Sequence, residues 1–146
     1  MDMITEDYVS FETAKLLKEK GFNESCRFIY DAGYFCSIAS RDCRWNEGYG
    51  ELIEELSNSE FSGIDNRVSA PTLQMAMKWL RDEKYYYIQV MLDGWACGGH
   101  LGYYVVIQKI DSDFETMPLD ALDEVFYQTY EEACEAAINY CLKNLI

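Results

Sequence analysis

The chain holds one histidine, His100, and three positions before it stands Cys97, in the stretch "LDGWACGGHLGYY" that also carries Trp95 and four glycines. A Cys-x-x-His spacing can set a thiolate and an imidazole on one ion, but a structural zinc site takes four ligands. No second pair lies at short spacing, and Cys26, Cys36 and Cys43 could contribute only through the fold. No metal and no cofactor is therefore expected. The same two side chains could form an activated thiol, yet activation needs both groups held rigidly, and glycine-rich backbone works against that. What remains is a small-ligand or ion site at Trp95, Cys97 and His100, or a structural hairpin tip.

Other reactive groupings are weaker. Glu54-Glu55 and Glu131-Glu132 are adjacent in sequence on expected helices, so their side chains point about 100° apart and do not converge on one atom. The chain lacks the glycine-rich phosphate loops and the H-E-x-x-H zinc motif. Tyr85 and Tyr87 could stack on a base or sugar, but the charge disfavours an anionic polymer. No catalytic residue is assigned, and a binder is expected rather than an enzyme.

These residues are positioned by a pattern of periodic segments. "YYYIQVML" alternates, with Tyr86, Ile88, Val90 and Leu92 on one face, and "YYVVIQKI" (103–110) is its natural antiparallel partner, which leaves a loop of about ten residues between them. Upstream, Ser10 caps a helix containing Phe11, Ala14 and Leu17 and ending at Gly21. "CRFIY" and "YFCSIA" then form a hairpin across a three-residue connection, Asp31-Ala32-Gly33. Residues 40–70 read as a long irregular excursion in which "ELIEEL" could form a turn or two of helix.

A second helix enters through Pro71 and Thr72 and sets Leu73, Ala76, Met77 and Leu80 on one face. Met75 and Trp79 form another apolar stripe on nearly the opposite side, either covered by a further layer or shared with a second chain, a homodimer included. A last helix begins at the Thr129/Glu132 capping box and buries Ala133, Cys134, Ala137, Ile138 and Cys141. The expected fold is thus a single α+β domain over 1–146, an antiparallel sheet packed against about three helices, in the order helix, hairpin, excursion, helix, hairpin, helix.

Charge bounds the partners. Twenty-six acidic against 12 basic residues give −14, which repels nucleic-acid backbones. Between Lys109 and Lys143 there is no Lys or Arg, while Asp111, Asp113, Glu115, Asp120, Asp123, Glu124, Glu131, Glu132 and Glu135 lie there. Such a surface either keeps the chain soluble or docks on a basic protein, the second reading engaging Met75 and Trp79 as well. No apolar run approaches the roughly 18 residues of a membrane span, and the acidic N-terminus is unlike a signal peptide, so a cytoplasmic protein with reduced cysteines is expected.

Three stretches, "ITEDYVSFETAKLLKEKGF", "SAPTLQMAMKWLRDE" and "YQTYEEACEAAINYCLKNLI", resemble uncharacterised short proteins of phages and mobile elements of gut Bacteroides-type bacteria. The resemblance covers about a third of the chain and lies in packing helices. It implies a shared fold and a phage- or element-encoded origin, and it carries no catalytic residue. On these grounds the expected role is a non-enzymatic accessory factor that binds a protein through carboxylates, with the inhibition of a nucleic-acid-binding host protein as its sharpest form.

Overall fold

The computed structural model describes residues 3–38, 45–46, 51–52, 54–61, 66–97, 100–110, 116–119 and 126–146, with the backbone course alone for 45–46, 51–52, 95–97, 100–101 and 116–119. The class is α+β, with three α-helices among the described residues and strands that pair antiparallel throughout. The chain divides into two compact units, Tyr8–Thr72 and Met1–Asp7 with Leu73–Ile146. The strands fall into separate sheets rather than one.

In the first unit, α1 (Phe11–Glu19) starts where the Ser10 hydroxyl oxygen accepts from the Thr13 N–H at 3.2 Å. Thr13, Ala14 and Leu17 are buried. Gly21 takes a φ of +96°, which lets the Phe22 N–H return to the Leu17 carbonyl at 2.9 Å and close the last turn. Strands β1 (Phe28–Asp31) and β2 (Tyr34–Ser37) form the expected hairpin, but Asp31 pairs with Tyr34, so the connection is Ala32-Gly33 and not three residues. Both turn residues have positive φ, 52° and 86°, the mirror-image turn whose twist matches that of the strands it joins.

The excursion is more structured than its composition suggests. β3 (Trp45–Asn46) pairs with β4 (Glu51–Leu52), and Cys26 bridges to Leu56, so the first residues of "ELIEEL" are strand and not helix. Pairing across the chain overrides a local helix preference too short to stand alone. A 3-10 turn at Asn58–Phe61 follows, and β5 (Arg67–Ser69) completes the order β2-β1-β5. Ile29, Ile38 and Phe61 make a core on one side of that sheet, flanked by Cys36 and Leu56. On the other side, Phe28 and Phe35 lie parallel with ring centres 5.1 Å apart, and Tyr8, Tyr30 and Phe11 extend the aromatic layer.

In the second unit, α2 (Leu73–Glu83) packs with α3 (Tyr130–Tyr140), and both lie on a sheet of order β6-β7-β8 built from Tyr86–Cys97, His100–Ile110 and Thr116–Leu119. The Leu73 N–H at the start of α2 donates to the Asp7 carbonyl at 2.9 Å, satisfying a helix-end donor. Ile88, Val105 and Ile107 of the sheet are buried, with Leu73, Ala76, Met77 and Leu80 of α2 and Ala133, Cys134, Ala137 and Ile138 of α3. The Thr129 hydroxyl oxygen accepts from the Glu132 N–H at 3.1 Å, as the capping spacing requires. Past Tyr140 the helix widens into a π-helical turn, Cys141–Leu145, and the Tyr86 hydroxyl donates to the Leu145 carbonyl at 3.1 Å. Among the described residues no helix is long and apolar enough to cross a membrane.

Candidate functional site

The second unit has a concavity of about 220 Å³ where the N-terminal strap, residues 4–7, passes the first turns of α2 and α3. Glu6, Asp7 and Glu131 bring three carboxylates to it, and Thr5, Gln74 and Tyr130 bring neutral polar groups. The fold puts them there for local reasons. Asp7 is fixed by its carbonyl at the head of α2, and Glu131 sits in the first turn of α3, where the helix dipole favours an anion. The Gln74 side-chain amide donates to the Tyr130 hydroxyl at 3.2 Å. That bond draws the Tyr130 pKa down, but burial, Cys134 and Glu131 outweigh it and leave the phenol above its ordinary value.

Small-molecule pockets span roughly 300–1,000 Å³, so this concavity has room for about one side chain. Its carboxylates suit a cation such as a lysine ammonium or an arginine guanidinium. Among the described residues no group of three or more His, Cys, Asp or Glu is placed to hold a metal ion. Sequence reasoning did not single out Glu6 and Asp7. The only signal was the acidic "TED" before the first helix, and nothing local says that this segment runs beside Tyr130, more than a hundred residues away.

The sequence-derived candidates separate into three groups. Trp79 is 7% exposed and Met75 is half-buried, so the large ring of the α2 stripe is not open to a partner. The Lys84 ammonium lies 5.4 Å from the centre of the Trp79 ring. Asp111, Asp113, Glu115, Asp120, Asp123 and Glu124 lie outside the described residues. Trp95, Cys97 and His100 are described by their backbone, which corrects the ten-residue loop. β6 runs to Cys97, β7 starts at His100, and the two are directly paired, with a register irregularity between Asp93 and Cys97. The described strands thus extend well beyond residues 92 and 103, to Cys97 and from His100.

Among the described cysteines, Cys26, Cys134 and Cys141 are buried free thiols. Burial pushes Cys26 to about 12, Cys134 to about 11 and Cys141 to about 12, away from the thiolate needed for attack. They serve as small apolar side chains in the two cores. Compared with protein-family models, with curated proteins and with solved structures, the chain finds no match.

Proposed function

We propose that this chain is a non-enzymatic accessory factor that binds a protein through an acidic surface, in the sharpest case occupying the basic groove of a nucleic-acid-binding host protein. The observation that carries the reading is the unequal distribution of charge. The unit formed by residues 1–7 and 73–146 has 15 acidic and 5 basic residues, −10, against 11 and 7, −4, for residues 8–72. A field of this sign speeds encounter with a basic surface and repels free nucleic acid. The exposed Glu6, Asp7 and Glu131 offer carboxylates around a space sized for one cationic side chain.

The test is capture of a host protein by the tagged full chain at low salt, followed by elution on a rising salt gradient and by challenge with duplex DNA. A basic partner that is released by salt and competes with DNA is expected, and Glu6→Gln with Glu131→Gln should flatten the salt dependence. No retained partner at low salt, or one indifferent to salt, removes this reading. A second reading, a metal or small ligand at Trp95, Cys97 and His100, draws on the register that sets Cys97 opposite His100. It predicts stoichiometric metal in the purified protein by elemental analysis, or a ligand-dependent change in tryptophan fluorescence.

A further inference from the structure

We infer that residues 8–72 are a module inserted into a smaller fold, and that this module opens and closes as a unit while residues 1–7 and 73–146 stay folded. The chain passes between its two compact units twice, at Asp7–Tyr8 and at Thr72–Leu73. In each unit the two cut ends lie side by side. Tyr8 pairs antiparallel with Thr72, and the Val9 N–H donates to the Pro71 carbonyl at 3.1 Å, which closes residues 8–72 at their own ends. The Leu73 N–H donates to the Asp7 carbonyl at 2.9 Å, which closes the remaining residues at theirs. A segment whose ends meet can be carried in a loop of another fold without disturbing it, because it asks of that fold only the span of a turn.

Each unit also carries the means to hold itself together. Among the described residues every sheet belongs wholly to one unit: β1, β2 and β5 and the β3-β4 pair to residues 8–72, and β6, β7 and β8 to the other. Within residues 8–72, Ile29, Ile38 and Phe61 form a core flanked by Cys36 and Leu56. The Asn58 amide joins the Phe22 carbonyl to the Ser69 N–H, and the Tyr30 hydroxyl donates to the Val9 carbonyl at 2.6 Å, which ties β1 to the entry of the module. Sixty-five residues is near the lower bound for a chain that folds alone, since a smaller share of the surface is buried at that size. The long pairing of β6 with β7 lies in the other unit, where two helices pack on the sheet. Residues 8–72 are therefore the part that opens first, and the closed ends let them do so alone.

The inference is independent of the acidic-docking reading, because it is tested on the full chain without a partner. Hydrogen exchange at rising urea, below the point of unfolding, should sort the amides into two sets. Those of α1, β1 and β5 should converge on one opening, and those of α2, α3, β6 and β7 on a second, rarer one. Asn58→Ala removes two buried bonds from the module and should speed exchange of the first set about thirtyfold or more, leaving the second within about twofold. Should that variant no longer fold residues 8–72, the second set should still be protected. Ile38→Val, a gentler cut in the core of the module, should speed the first set about two- to tenfold with the same selectivity. A single opening common to all amides, an equal acceleration of both sets by either variant, or loss of protection throughout the chain overturns the inference.

Discussion

Ala32 holds a φ of 52°, a region that costs a non-glycine residue roughly 1–2 kcal/mol because Cβ crowds the following carbonyl. Its turn is over-determined by what surrounds it: Asp31 pairs with Tyr34, Gly33 takes the second positive φ, and the Ala32 N–H donates to the Asn66 carbonyl at 2.9 Å. Asparagine adopts this conformation more readily, keeps the N–H and meets open space at an exposed position. Ala32→Asn should therefore stabilise the chain by about 1 kcal/mol, seen as a rise in Tm of about 2–4 °C. An unchanged or lower Tm would show that the turn is not strained. Tyr85 has a φ of 63° where α2 gives way to β6, a position that glycine more often fills.

At the scale of elements, one buried side chain, Asn58, bridges two parts of the chain from the segment between β4 and α2. The Asn58 amide nitrogen donates to the Phe22 carbonyl at 2.8 Å, and its oxygen accepts from the Ser69 N–H at 2.9 Å. One residue of the 3-10 turn thus ties the end of α1 to β5. Asn58→Ala removes both bonds in a site closed to water, for an expected loss of about 2–4 kcal/mol in urea unfolding. A loss below about 1 kcal/mol would mean that water or a shifted neighbour replaces the amide. The thrift of α3 is of another kind: Ala133, Cys134, Ala137 and Cys141 keep its buried face shallow, so the helix can lie close to α2 and to the sheet.

For the molecule as a whole, alkaline pH probes both cores at once. The thiols of Cys26, Cys134 and Cys141 are raised from an ordinary 9.0 to about 12, 11 and 12, with burial the largest cause. The folded chain keeps these protons while the unfolded chain gives them up. The contribution to stability is fully present below pH 9 and falls as pH rises toward the folded values. Each thiol takes about 1.4 kcal/mol per pH unit across that window. Cys141→Ala should flatten the decline of unfolding free energy between pH 9.5 and pH 11 by about that slope (~1.4 kcal/mol per unit), whatever it does to stability at pH 7. An identical slope in the variant would show that the Cys141 thiol is not closed off from water.

By itself the sequence determined the class of fold and the position of most elements, because periodicity and caps are local: Ser10 and Thr129 cap the helices they precede, and 86–92 pairs with 103–109. It also determined the charge and the absence of a compact catalytic motif. Only the tertiary structure decided which distant segments meet. A short strand such as Arg67–Ser69 draws its stability from a partner far along the chain, Ile29–Asp31, so composition alone made it part of an irregular excursion. The same holds for burial of the Trp79 ring, for the meeting of Glu6 and Asp7 with Glu131, and for the division of the strands among separate sheets. A side chain's type is written locally, but its exposure and its neighbours are fixed by the packing of the whole chain.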